Sequence, residues 1–386
     1  MKQHVQHLII GAGAAGSAAA YALARRGQEV LLLEQFGIGH ERGSSFGPSR
    51  IFRLAYEEPE YAGLALAALE SWRTLENESG QPLYWRTGGL DLGPAGTPGL
   101  EGVHASLSAL NAAPERLSRR ELARRFPQWQ VPSDWEAVYS PEAGIVSPQI
   151  TLRVLTGLAR RHGAQILENV AALEIEPGTR PAVRTSTGVI TCDHLIVAAG
   201  AWLPRLVPGL QAPLSVTLAA SSFYRPDDLA AFQPERFPVF ITHDDEFQAY
   251  GFPAFGVPGV KLGVDVVRPV TSGDTRSFEV PPQVVEASDT FMRRYLPGAS
   301  TVMERQTCLI TRAPGGDFIL APHPDCPQIT LASPCSGHGF KFTPLLGELL
   351  AAHALGERHP WQLPRFGLPP QDRRQTAEQR PLPGGL

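Results

Sequence analysis

The chain has 386 residues, 43% of them hydrophobic and 19% charged, with a net charge of −4. This is a globular composition with apolar material for a large core, and the length suits two domains or one elaborate one. The charge balance points to neither nucleic acid nor an anionic membrane, and no apolar run reaches the ~18 residues needed to span a bilayer.

Residues 4–10 read as a first strand, followed by Gly11-Ala12-Gly13-Ala14-Ala15-Gly16 and an Ala-rich helix to about Arg26, with Gly27 as its stop. A second strand, with the apolar run Val30-Leu31-Leu32-Leu33, ends at Glu34. The spacing is that of a dinucleotide-binding turn. Gly11 permits the tight turn, Gly13 lets the backbone approach a pyrophosphate, and Gly16 allows close helix–strand packing. The helix N-terminus offers free N–H groups to phosphate, and the Glu34 carboxylate is placed to accept from a ribose. A chance Gly-rich turn is the plainer reading of such a motif. The strand before it, the helix after it and the acid ending strand two argue against that. The motif leaves FAD against NAD open.

Further along, 165–175 and 182–190 read as strands, and 195–202 as a buried strand ending in small residues. Segments around 213–267 read as an antiparallel sheet of a second domain. Residues 337–350 read as a glycine turn opening an amphipathic helix, and the tail from about 367 as loosely ordered. His4 and His7 stand where the apolar part of a signal peptide would begin, so a cytoplasmic location is expected. The four cysteines (Cys192, Cys308, Cys326 and Cys335) show no zinc-ligand spacing, and no metal is expected. Of 34 basic residues only Lys2, Lys261 and Lys341 are lysine. In a chain that otherwise uses arginine, an internal lysine invites a functional question.

Four blocks carry a family likeness: the N-terminal GAGAAG with Glu34; Gly47-Pro48-Ser49-Arg50-Ile51-Phe52-Arg53 with Tyr56; Tyr250-Gly251-Phe252-Pro253 through Lys261; and Thr307-Cys308 with Ser336-Gly337-His338-Gly339-Phe340-Lys341-Phe342. Through them the chain resembles the monomeric sarcosine oxidase and N-methyltryptophan oxidase family of D-amino-acid-oxidase-like flavoproteins, from residue 7 to about 355. The resemblance implies an α/β (α+β overall) fold: a Rossmann-type FAD-binding domain with an interleaved substrate domain on an antiparallel sheet. The FAD-binding domain is expected to be discontinuous, at 1–85, 146–212 and 305–366. The substrate domain is expected at 86–145 and 213–304, with 367–386 as tail.

It also implies roles. Cys308, in Cys308-Leu309-Ile310-Thr311 near the start of a late strand, would hold the flavin covalently as an 8α-S-cysteinyl bond, helped by a cation such as Arg305 or Arg312. A small buried hydrophobe is what most lone cysteines are; the other three are read that way. Lys261 would promote reaction of the reduced flavin with oxygen. Lys341 and Arg53 would clamp a substrate carboxylate. Arg50 would sit close to the flavin, with the spacing to Arg53 placing both on one side of a turn. Expected cofactor contacts are Gly11, Gly13, Ala14, Ala15, Gly16, Glu34, Ser44, Ser45, Arg50, Val170, Gly200, Trp202, Cys308, Gly337, Gly339, Phe340 and Lys341. Expected substrate contacts are Arg53, Tyr250, Lys341, Phe46, Asp265 and Ile310. The family's pocket histidines are replaced by Phe46 and Asp265 and its tyrosine by Ile310; Phe46 and Ile310 imply a more apolar pocket, and Asp265 is left to pair with a substrate cation or with an arginine such as Arg268.

The expected activity is oxidation of a secondary (N-methyl or cyclic) amino acid to an imine, with O2 reduced to H2O2, by a monomer with no nucleic-acid or membrane partner. A dehydrogenase of the same fold using another acceptor is the alternative. A flavin-binding component of an RNA-modifying system ranks below it, because no basic or second catalytic domain is attached.

Overall fold

A computed structural model describes residues 4–56, 58–210 and 214–368. The expected tail lies outside the described residues from 369 onward, as does Lys2. The central element is a parallel sheet in which Cys326–Ser333, Gly188–Val197, His4–Ile10, Val30–Leu33 and Gln165–Leu167 lie side by side. These strands read as near-continuous apolar runs because both faces are covered. Ile319–His323 extends the sheet antiparallel at one side, and Ala172–Glu176 and Ala182–Thr185 pair antiparallel beyond the first half of Gly188–Val197.

Three expected strands need correction. The stretch 182–190 is Ala182–Thr185, a turn, and the start of the antiparallel Gly188–Val197. The stretch 165–175 is two strands at different edges of the sheet, separated by a turn in which Asn169 is left-handed (φ 61°). The stretch 195–202 leaves the sheet after Val197 and becomes a short helical turn over Gly200–Trp202. Apolar character alone did not separate strand from buried turn.

The helix Ala14–Ala24 packs between Thr343–Leu355 and Pro148–Arg161. Thr343–Leu355 is not amphipathic: Thr343 to Ala352 is buried except at Glu348, which pairs with Arg25 and with Arg26 (2.8 Å). It is enclosed because small residues let the first helix approach closely. A Cβ on Gly347 would lie 2.6 Å from the carbonyl carbon and oxygen of Ala18. Gly347→Ala is therefore expected to force the helices apart and cost about 1–3 kcal/mol, read as a lower denaturation midpoint at unchanged m-value. An unchanged midpoint would mean that the contact yields freely.

A second, eight-stranded sheet runs Thr301–Arg312, Ser215–Arg225, Val260–Val264, Ala249–Phe252, Val239–Thr242, Gly89–Pro94, Trp135–Ser140 and Glu115–Leu117. All its pairings are antiparallel except Val239–Thr242 against Gly89–Pro94. Arg50–Phe52, Gly144–Val146 and Tyr84–Trp85 form a small third sheet. No helix among the described residues is long and apolar enough to cross a membrane.

Candidate active site

One long cleft runs from the glycine turn to the second sheet. It is lined by Gly11, Gly13, Ala14, Ala15, Glu34, Ser44, Ser45, Phe46, Arg50, Arg53, Val170, Gly200 and Trp202. Tyr250, Lys261, Asp265, Cys308, Ile310, Gly337, Gly339, Phe340 and Lys341 complete the expected set. Gly16 alone is not at the cleft surface. A Cβ there would come within 1.9 Å of the Gly11 carbonyl oxygen, so its place is helix–turn packing.

At the glycine-turn end, Gly11 is left-handed (φ 97°), and a Cβ there would strike the Ala198 carbonyl at 2.6 Å. The helix that follows starts at Gly13 with no side-chain cap. Ala14 N–H donates to Ser45 Oγ at 3.1 Å, and the helix N-terminus opens into the cleft. Glu34 accepts from the N–H groups of Ala12 (2.9 Å) and Phe36 (2.9 Å), with His40 Nε2 at 3.4 Å. Burial disfavours its charged form, but these donors overcome that and hold the carboxyl below its usual range. His40 was not anticipated; an exposed-looking Gly-rich loop gave no signal for it.

At the opposite end lie the lysines. Lys261, on Val260–Val264, is 4% exposed and Lys341 is 6% exposed, so both described lysines are buried. Lys261 Nζ donates to the Ser49 carbonyl at 3.3 Å and sits 5.0 Å from the Phe252 ring centroid. Burial, reinforced by repulsion from Arg50, pushes its pKa down to about 7. Lys341 Nζ donates to Tyr56 Oη at 2.7 Å, and no carboxylate among the described residues forms an ion pair with it. Burial, then Arg53, drives its pKa well below the ordinary lysine value.

The Lys341–Tyr56 contact continues inward. His338 Nε2 lies 3.0 Å from the Gly316 carbonyl, which accepts only, so that nitrogen donates. The other ring nitrogen, Nδ1, then accepts from Tyr56 Oη at 3.0 Å. Burial, then Lys341, lowers the His338 pKa to about 3, so the ring is neutral and this direction is fixed.

Arg53 is 4% exposed, with Nη1 3.4 Å from Asp91 Oδ1, an oxygen that His243 Nε2 also approaches at 2.8 Å. Neither Asp91 nor His243 was foreseen. The available signal was a buried acid between Leu90 and Leu92 in a strand. Arg50 donates to the carbonyls of Ser49 and Ser44, both at 2.8 Å, and thereby pins the Ser44–Ser49 loop. It begins an extended strand and not a turn, so the expected one-sided spacing with Arg53 is wrong. Both reach the cleft because the chain leaves that strand after Phe52.

Cys308 is half-buried in the middle of Thr301–Arg312, opposite Ala219, and not near the strand's start. Neither expected cation lines the cleft with it. Arg305, three residues away and hence on the other face, is held by Asp289 at 2.6 Å. The nearby cations are Lys261 and Arg276, the latter donating to the Thr307 carbonyl (2.8 Å) and the Glu41 carbonyl (2.6 Å). Asp265 pairs with Arg268. All four cysteines are free, and no group of three potential metal ligands occurs among the described residues.

The parallel sheet, the glycine turn and the cleft beyond it are those of a dinucleotide-binding protein. The chain belongs to the DAO family of FAD dependent oxidoreductases, whose model matches residues 6–353. It is 34% identical over 358 residues to the monomeric sarcosine oxidase of Streptomyces avermitilis, covering 90% of this chain and 93% of that one. It is 29% identical over 366 residues to the N-methyl-L-tryptophan oxidase of Yersinia pestis, covering 94% and 98%. In fold it is similar to NikD, an unusual amino acid oxidase essential for nikkomycin biosynthesis, with a TM-score of 0.87, 24% identity and coverage of 95% and 98%. The helix N-terminus at the cleft, the close-packed glycine turn and the Glu34 carboxylate fit the pyrophosphate and ribose of FAD.

Proposed function

We propose that the protein is an FAD-dependent oxidase of a secondary amino acid, acting on the CH–NH bond as a monomer, with O2 as acceptor and H2O2 as product. The observation that carries this reading is Lys341: a buried lysine in the cleft whose described polar partner is the neutral Tyr56 hydroxyl. Burial disfavours the lysine's charged form, and an anion in the cleft would restore it; the carboxylate of an amino acid supplies that anion, with Arg53 as the second donor. FAD, held by the glycine turn and Glu34, would supply acceptance of a hydride equivalent from the carbon beside nitrogen and two-electron reduction of oxygen.

The chain's own residues do the rest. The His338–Tyr56 pair presents a hydroxyl lone pair to Lys341 and keeps Nζ in place, while Asp91 orients Arg53. The substrate reacts as the free amine, because a protonated nitrogen has no lone pair to release. Phe46 and Ile310 keep the pocket apolar and water out. Lys261 supplies a cation that stabilises superoxide and peroxide as they form, and its presence favours an oxidase over a dehydrogenase.

Cys308 would hold the flavin covalently at the 8α position. Its place in the cleft beside Lys261 and Arg276 supports this, since attachment needs a thiolate. Acid-precipitated wild type is expected to stay yellow and Cys308→Ala to release its colour to the supernatant. A colourless wild-type pellet would rule the bond out.

A further inference from the structure

One guanidinium in the cleft has a nitrogen to spare. Arg268 uses Nε and Nη2 to hold both oxygens of Asp265. Its Nη1 is buried and has no hydrogen-bond partner among the described residues. A buried donor left unbonded costs free energy unless something arrives to accept from it. Arg268 and Asp265 both line the cleft with Tyr250 and Lys261, and the Asp265 N–H donates to the Gln248 carbonyl (2.9 Å) next to the Tyr250 strand, which places the pair at the second-sheet end of the cleft. The apolar side chains of the same cleft, Phe46, Ile241, Val264 and Ile310, carry no acceptor, and Asp265 is already engaged in the fork.

We infer that Arg268 is a specificity-determining residue: its Nη1 donates to a carbonyl oxygen on the variable part of the substrate, a carboxamide or a second carboxylate, and Asp265 positions it by the two-point fork. This rests on the amino-acid reading above, in which Arg53 and Lys341 take the α-carboxylate. Asp265 is then no partner for a substrate cation, because its charge is matched by Arg268.

The test uses acids that bind but cannot be oxidised, so binding is read even if no amine turns over. 4-Methylpentanoate, succinamate and succinate carry an isopropyl, carboxamide and carboxylate group of similar shape at the same distance from a carboxylate. Each is titrated into the yellow holoenzyme, following the visible spectrum or the heat of binding. Wild type is expected to bind succinamate or succinate on the order of 10-fold tighter than 4-methylpentanoate. Succinamate ahead of succinate identifies the neutral form, and the reverse order the charged one. Arg268→Met is expected to abolish the preference. Should that variant fail to fold, Arg268→Lys decides, because it keeps a cation for Asp265 but lacks the third nitrogen. An aliphatic preference in wild type, or an unchanged ratio in the variant, overturns the assignment. Failure of all three acids to bind instead overturns the Arg53–Lys341 clamp, and this inference with it.

Discussion

Lys341→Met is expected to lower kcat/KM by roughly 30- to 5,000-fold, about 2–5 kcal/mol, while leaving the fold as stable or more so. The two effects have opposite signs for one reason. In the free protein burial and the neighbouring Arg53 disfavour the charged form of Lys341, no carboxylate among the described residues pairs with it, and methionine fills a similar volume without that penalty. Tyr56 keeps its bond to His338 after the change. With substrate bound, the same ammonium faces a carboxylate, and removing it leaves Arg53 alone against it. The pH behaviour follows. A lysine with a lowered folded-state pKa binds fewer protons folded than unfolded, so the free protein gains stability as pH rises towards the ordinary value of 10.5. The variant is expected to show a shallower rise. Loss of stability and activity together would mark Lys341 as a packing residue only.

Lys261→Met is expected to slow reoxidation of the reduced enzyme by oxygen by about 10²-fold or more, with little change in reduction by substrate. The wild-type reoxidation rate should depend on pH in a defined direction. With a pKa of about 7, Lys261 is cationic below that value and neutral above it, so the rate falls as pH rises through it. Rapid mixing of reduced enzyme with oxygenated buffer measures this. In the methionine variant that titration should vanish. Equal oxygen reactivity in the two proteins would remove Lys261 from the mechanism and restore the dehydrogenase alternative.

Much of this site was legible in sequence because its signals are local or rare. The glycine turn, the acid ending the second strand and the Ala-rich helix are neighbours along the chain. The lysines stood out by scarcity, and both described ones are buried in the cleft. What was missed depends on tertiary approach. Arg305 was expected near Cys308 from proximity in sequence, but an odd spacing in a strand sends it to the other face. Arg276, which donates to the carbonyl of the neighbouring Thr307, comes from an irregular loop with no periodicity to mark it. Asp91 reaches Arg53 from a different sheet. The stretch 337–350 looked like the start of an amphipathic helix because Glu348 interrupts its apolar run, whereas Arg25 and Arg26 pair with Glu348 and the residues around it are buried.

The central claim is oxidation of an amino acid at its CH–NH bond, and anaerobic mixing of the yellow protein with a panel of amines tests it most directly. The panel spans sarcosine, larger N-methyl amino acids, proline, pipecolate and D-amino acids, with flavin absorbance as the readout. The account predicts that at least one secondary amino acid bleaches the flavin and that Lys341→Met raises the concentration needed. A flavin that dithionite reduces but no member of the panel does would contradict it.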